Sequence, residues 1–309
     1  MSSISIRHLR YFEALAQHGH FGRASEACAI SQPALSLQVK ELEGILGAPL
    51  VERGARQIRL TGLGEEFAAR ARVILRAIDE LTDLGRASDG PLSGRLRIGV
   101  IPTIAPYLLP QIIKTLSEIY PAIELHPREA VTKRLIEDLQ EGRLDTAVVA
   151  LPVSEPALVE QPLFDEEFVL VRPIADTDKP VPSAQKLREM RLLLLEEGHC
   201  FRDQALSFCK LSTTPPRDLM EGSSLATLVQ MVGAGIGVTL IPQMAVAVET
   251  RSATVSVVQL ATPRPSRTIG MVWRRTSPLA GQLGQLAETM RAAGLQQAHD
   301  TRLPHRPTD

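Results

Sequence analysis

The chain has 309 residues, 44% hydrophobic and 22% charged, with a net charge of −1. That length supports two or three compact units with cores of their own, and the near-neutral balance argues against nonspecific polyanion binding by the whole chain. No run approaches the ~18 apolar residues of a membrane span, and the opening residues have no apolar signal core, so a cytoplasmic protein is expected.

Residues 1–64 carry seven Lys or Arg (Arg7, Arg10, Arg23, Lys40, Arg53, Arg56, Arg59) against five Glu, a mild excess that decides nothing alone. Leu9, Phe12, Leu15 and Ala16 form one helical stripe ending at Gly19. A second short helix fits Phe21 to Ala29, with Ala24, Ala27 and Cys28 spaced to face inward. Ser31 is a good N-cap and Pro33 suits the first turn of a third helix, with Leu35, Val39, Leu42, Ile45 and Leu46 on its apolar side and a stop at Gly47. Two short helices, a tight turn and a helix with a polar N-terminal half make a helix-turn-helix, whose last helix enters the DNA major groove. Residues 49–53 and 57–60 read as two short strands around Gly54, a wing that places Arg53 and Arg56 near phosphates. A small helical packing domain is the plainer alternative.

Thr61 caps a long helix whose positions Phe67, Ala71, Ile74, Ile78 and Leu81 alternate in steps of four and three. That seam suits pairing with a second copy, although a helix packed on its own domain would also show it. Residues 88–94, Ser-Asp-Gly-Pro-Leu-Ser-Gly, read as a hinge. Beyond it, strands are expected over 95–100, from 123, over 145–151, 167–172, 192–195, 235–242 and 268–273. Helices are expected over 106–119, 132–141 and 223–232, and a terminal helix carries Leu279, Leu283, Leu286 and Met290. Such alternation indicates α/β sheets. The domains are therefore 1–64, a winged helix-turn-helix; 65–90, a linker helix with its hinge; 91–295, an α/β effector region; and 296–309, a disordered tail.

Two of the three cysteines, Cys200 and Cys209, stand nine residues apart after the apolar run Leu192–Leu195. An odd number makes no structural disulfide framework, and in a reducing compartment any bond here is a transient redox pair. Phe201, Ala205 and Phe208 repeat at helical spacing. If the segment is helical, nine steps of ~1.5 Å part the two Cα atoms by ~13.5 Å, whereas a disulfide needs roughly 7 Å. Helix and disulfide exclude each other, which makes the segment a candidate switch. Cys200 lies at the helix start, where the dipole favours an anion, with His199 and Arg202 able to add donors or positive charge; Cys209 lies at the opposing end. This asymmetry makes Cys200 the reacting thiol and Cys209 the resolving one. Inert buried cysteines are the alternative, and a metal site lacks enough local ligands.

The run RHLRYFEALAQHGHFGRASEACAISQPALSLQVKELEGILGAPLVER resembles the winged helix-turn-helix of LysR-type transcriptional regulators almost throughout. In that family the residues matching Ser31, Gln32, Pro33, Ser36 and Lys40 start or line the recognition helix, and those matching Arg23 and the wing arginines Arg53 and Arg56 lie beside the DNA backbone. The rest of the chain is similar to the family's effector domain, two α/β subdomains crossed by two linking segments, akin to periplasmic solute-binding proteins. LLLEEGHCFRDQALSFC, with IPTIAPYLLP and TIGMVWR, looks like the peroxide-sensing OxyR branch of the family. That resemblance implies Cys200 as peroxidatic and Cys209 as resolving, with His199, Arg202 and Asp203 around the thiol. It also implies Thr103, Thr132 and Arg267 in a pocket for hydrogen peroxide.

The implied protein is a DNA-binding regulator rather than an enzyme, without cofactor or metal. It would be a dimer or tetramer on an operator with paired half-sites, in contact with RNA polymerase and reduced by glutaredoxin or thioredoxin. Two rivals remain: a regulator answering a small organic ligand in its effector cleft, with inert cysteines, and a thiol peroxidase with an appended DNA unit.

Overall fold

We describe residues 3–52, 58–88, 92–187, 189–208 and 220–300 of a computed structural model of the chain. The chain divides into two compact units, residues 1–85 and 86–309.

The first unit opens with α1 (Ile6–His18), α2 (Phe21–Ala27) and α3 (Gln32–Leu46). Ser5 and His8 form a reciprocal cap at the start of α1, and Gly19 closes it in the left-handed conformation. The Ser31 hydroxyl accepts the Ala34 N–H, as its position suggests, and Gly47 ends α3 with φ +69°. Phe12, Leu15, Ala24, Leu35, Leu42 and Leu50 pack into one fully buried core. The second helix is shorter than expected: it stops at Ala27, which is exposed, and Ser25 is buried instead. Ser25 can turn inward because its hydroxyl donates to the Gly22 carbonyl, so no polar group is orphaned.

Among the described residues the wing reduces to one antiparallel bridge, Val51 with Leu60, and a hydrogen bond from Glu52 N to Arg59 O. Its first strand is tied to both neighbouring helices. Glu43 of α3 accepts the N–H groups of Leu50 and Val51 at 2.8 and 3.2 Å. Thr61 donates to Pro49 O and caps α4 (Gly62–Ser88) by accepting the Gly64 N–H. Gly64 has no substitute here, because a Cβ would run into the Leu50 carbonyl oxygen. Along α4, Ala71 is buried and Phe67 and Ile78 are half-buried, but Ile74 and Leu81 are 48% and 67% exposed.

The second unit holds two sheets that share one strand. In the first, β1 (Gly94–Val100) lies parallel to β2 (Ile123–Glu129) and β3 (Thr146–Leu151). The helices α5 (Ala105–Ile119) and α6 (Thr132–Gln140) connect them. The strand β4 (Leu158–Pro173) is sixteen residues long and passes from this sheet into the next. The second sheet contains β5 (Leu192–Leu195), reached through α7 (Ala184–Leu187), then α8 (Cys200–Phe208), β6 (Met220–Gly222), α9 (Leu225–Gly233), β7 (Val238–Pro242), α10 (Val246–Glu249) and β8 (Val255–Gln259). Here β5 pairs in parallel with β6 and β7, and β7 and β8 flank the second half of β4. The return strand β9 (Ser266–Arg274) pairs antiparallel with β3 and the first half of β4, and α11 (Ala280–Asp300) closes the unit. The continuous apolar runs of β3, β5 and β7 are buried along nearly their whole length, as central strands covered on both faces must be.

Several elements depart from the sequence reading. The strand expected over 167–172 is only the second half of β4. Its first half was hidden by Pro162, which sits at a register irregularity where a missing N–H is tolerated. The strand β8 was not anticipated at all. Residues 235–237 precede β7 rather than belonging to it: Gly235 has φ +80°, and a Cβ on Gly237 would strike the Arg191 carbonyl oxygen. Residues 296–300 continue α11 rather than starting a disordered tail, since no helix breaker stands between Gly294 and Asp300. Residues 301–309 lie outside the described residues. None of the described helices is long and apolar enough to cross a membrane.

Candidate functional site

In the first unit, Ser31, Gln32, Pro33, Ser36 and Lys40 are all exposed; Ser31 caps α3, and the other four lie along one side of it. Leu37, 64% exposed, lies beside them, outside the buried 35, 39, 42 stripe. Arg23 is exposed on α2. Arg53 and Arg56 lie outside the described residues. Cys28 is half-buried against the core, and burial, then the Glu13 charge, raise its thiol above the ordinary value, so it stays protonated.

In the second unit, a small cavity forms where three chain segments meet. The turn after β1 contributes Ile101, Pro102 and Thr103; the start of α6 contributes Val131 and Thr132; the start of α8 contributes His199, Cys200 and Phe201. It is partly open to solvent and too constricted as it stands to admit a water-sized sphere. Cys200 is the first residue of α8 and carries a free thiol. Thr132 is the first residue of α6, and its buried hydroxyl has no hydrogen-bond partner. Two helix N-termini and an orphaned hydroxyl therefore converge beside one thiol, a setting that favours a small polar or anionic guest.

Arg267 stands behind this cavity rather than in its lining. Its side chain is fully buried; Nη1 donates to Thr103 Oγ1 at 2.7 Å and Nη2 to the Thr103 carbonyl at 3.0 Å. The guanidinium carbon lies 5.4 Å from the centre of the Phe201 ring, whose edge meets Phe168 at 4.8 Å between centroids. Glu166 of β4 faces Arg267 directly in the β4–β9 pairing and accepts its Nε–H at 2.8 Å. The other Glu166 oxygen accepts the Met244 N–H at 3.1 Å. Burial pushes the Glu166 carboxyl upward, with Arg267 and the Met244 amide opposing that rise. Nothing in the sequence singled out Glu166. It stands among three consecutive acidic residues, and strand alternation buries it while its neighbour Asp165 faces solvent.

Besides Arg267, two expected site residues do not line the cavity. Arg202 turns the other way: its Nη1 donates to the Leu195 carbonyl at 2.8 Å and to Glu221 Oε1 at 2.6 Å, fastening α8 to β5 and β6. Asp203 is exposed. Arg202 lies about 200° around α8 from Cys200, on its far side, whereas Asp203 shares the Cys200 side but is exposed to solvent. Cys209 lies outside the described residues. Among the described residues no group of three His, Cys, Asp or Glu is placed to hold a metal ion.

His199 is half-buried, and burial lowers its pKa below the ordinary 6.5, with Glu196 opposing. At neutral pH the imidazole is therefore largely uncharged, so of the donor or positive charge expected of it beside Cys200, the charge is not supplied. The linkage sign follows: between the lowered value and 6.5 the unfolded chain binds more protons at His199 than the folded one. Stability is then complete above that window and declines as pH falls through it. Urea unfolding of the wild type and of His199→Gln between pH ~5 and ~7.5 should show a steeper acid loss in the wild type. Equal slopes would remove this imidazole from the account.

Comparison with known proteins places both units. Residues 6–65 match the model of the bacterial regulatory helix-turn-helix protein of the lysR family, and residues 89–294 match the LysR substrate binding domain. The DNA-binding transcriptional dual regulator OxyR of Escherichia coli K12 is 42% identical over 293 residues, covering 94% of this chain and 95% of that protein. The chain belongs to the LysR family, in its OxyR branch. A probable hydrogen peroxide-inducible genes activator of Streptomyces viridosporus is also 42% identical, covering 94% of each chain. A full-length OxyR variant from Pseudomonas aeruginosa superposes with a TM-score of 0.75 at 36% identity, over 99% of this chain and 100% of that one. A peroxide-bound OxyR variant from Corynebacterium glutamicum gives 0.66 at 33%, over 97% and 95%. The LysR-family architecture of an N-terminal helix-turn-helix with a mixed α/β effector region is the one observed here.

Proposed function

We propose that this OxyR-branch protein is a cytoplasmic DNA-binding transcription regulator that senses hydrogen peroxide through Cys200. The observation that carries this reading is the site's lining: a free thiol at a helix start, beside a buried hydroxyl without a partner, in a narrow recess. Pockets for organic ligands run to ~300–1,000 Å³, and the space beside Cys200 holds nothing of that size, so an organic effector would have to bind elsewhere.

The chemistry balances with these residues alone. The Cys200 thiolate attacks one peroxide oxygen, the O–O bond breaks, and the other oxygen leaves as hydroxide and takes a proton to become water. Cys200 is then a sulfenic acid, and the Cys209 thiol displaces its oxygen as a second water, forming the disulfide. A dithiol protein such as glutaredoxin or thioredoxin would reset it. Helix α8 resists the second step. Intact from Cys200 to Phe208, it holds those Cα atoms ~12 Å apart, and one further Cα step of ~3.8 Å leaves ~8 Å, beyond the roughly 7 Å a disulfide spans. Closing the bond therefore unwinds part of α8.

That refolding would shift how copies of the chain pack, as dimer or tetramer, and so change half-site spacing on DNA and contact with RNA polymerase. The exposed Ile74 and Leu81 on α4 suit such pairing. The test is a brief stoichiometric peroxide pulse on the reduced full-length protein, followed by thiol alkylation and peptide mass spectrometry. A linked Cys200–Cys209 peptide pair is expected. Two alkylated thiols would overturn the reading in favour of a ligand-responsive regulator.

A further inference from the structure

We infer that Glu166 is a positioning residue for the peroxide reaction, acting through Arg267 to make Thr103 a hydrogen-bond donor toward the cavity. This rests on the reading of Cys200 as the peroxide-reactive thiol. A threonine hydroxyl has one hydrogen to give and lone pairs to receive, whereas a guanidinium only donates. Arg267 Nη1 donates to Thr103 Oγ1 at 2.7 Å, so the lone-pair side of that hydroxyl is engaged from behind. The hydroxyl hydrogen must point elsewhere, and Thr103 lines the cavity that holds Cys200. An O–H directed there stabilises the negative charge that grows on the departing peroxide oxygen as the O–O bond breaks.

This polarity depends on where the guanidinium sits, and Glu166 determines that. The two residues are direct cross-strand partners where β4 and β9 run side by side. Glu166 Oε2 accepts the Nε–H at 2.8 Å and lies 2.8 Å from Nη2, fixing that edge of the fork while Nη1 reaches the threonine hydroxyl and Nη2 the threonine carbonyl. The carboxylate is itself fixed by the Met244 amide, and the opposite face of the guanidinium is stopped by the Phe201 ring. Losing the carboxylate removes the restraint on the Nε edge of the fork, and the guanidinium can then pivot about its contact with the Thr103 carbonyl, shifting Nη1 from the hydroxyl.

The experiment compares the rate constants of the reduced full-length protein with hydrogen peroxide and with iodoacetamide, both read at Cys200. Glu166→Gln should slow the peroxide reaction about tenfold to hundredfold, as a misplacement of ~1 Å does, while leaving alkylation and its pH profile unchanged. Thr103→Val should slow peroxide similarly, and Glu166→Gln added to it should produce no further slowing, because both act through one hydroxyl. Glu166→Asp keeps the charge but withdraws it by one methylene, and should fall between the wild type and Glu166→Gln; it carries the test if the glutamine variant does not fold. A wild-type peroxide rate in either variant, equal slowing of both reagents, or multiplicative losses in the double variant would overturn the inference. A wild type no faster with peroxide than free cysteine would instead overturn the reading of Cys200 itself.

Discussion

Replacing Cys200 by serine is expected to abolish the peroxide-induced change in the DNA footprint and to leave the footprint of the reduced protein as it was. Serine is close to cysteine in volume and sits at the first position of α8, where a hydroxyl is well tolerated, so the cavity walls and the helix survive the exchange. What disappears is the nucleophile, since a hydroxyl neither ionises near neutral pH nor forms a disulfide. Cys209→Ser separates the two chemical steps. Peroxide should then add one oxygen atom to Cys200 and stop, because no second thiol displaces it. If the footprint of Cys200→Ser still changes with peroxide, the thiol mechanism is wrong whatever the mass spectra show.

A second large effect is expected at the buried ion pair. Arg267 and Glu166 are 3% and 5% exposed, so removing the arginine strands a carboxylate in the core. Arg267→Ala should lower stability by ~3–5 kcal/mol, the usual cost of breaking such a pair from one side. Replacing both partners by apolar residues of similar bulk, Arg267→Met with Glu166→Leu, should recover most of that loss, because no unpaired charge remains. Urea unfolding of the reduced proteins measures both. The double variant should nevertheless react poorly with peroxide, since Thr103 has lost the group that orients it. A double variant as unstable as the single one would mean that packing around Phe201, not charge, makes this place sensitive.

These two expectations also separate what the two levels of structure contribute to the site. Stability at Arg267 comes from a contact between residues 101 positions apart in the chain. The reactivity of Cys200 depends on elements that are local, on elements that are remote, and on a segment able to exist in two conformations. Helix α8 is the local element, and its spacing of Phe201, Ala205 and Phe208 was readable directly: Phe201 and Ala205 are buried as that spacing requires. So were the caps at Ser31 and Thr61, because a cap is a relation between a side chain and backbone groups three residues away.

By itself, then, the sequence determined the helix-turn-helix, the alternation of strands and helices, and the conflict between a helix at Cys200 and a bond to Cys209. Each depends on short-range periodicity or on the dimensions of one element. Only the tertiary structure decided which polar residues meet the thiol. It brought Thr103 and Thr132 together from separate segments, moved Arg267 behind the cavity, turned Arg202 away, and left Asp203 in solvent and His199 largely uncharged. It also found Glu166, one buried carboxylate among three consecutive acidic residues. The physical reason is that orientation and burial follow from strand pairing and helix phase across distant segments. Opposite faces lie one residue apart along a strand and about two along a helix, but in the fold one meets the core or the cavity and the other meets water.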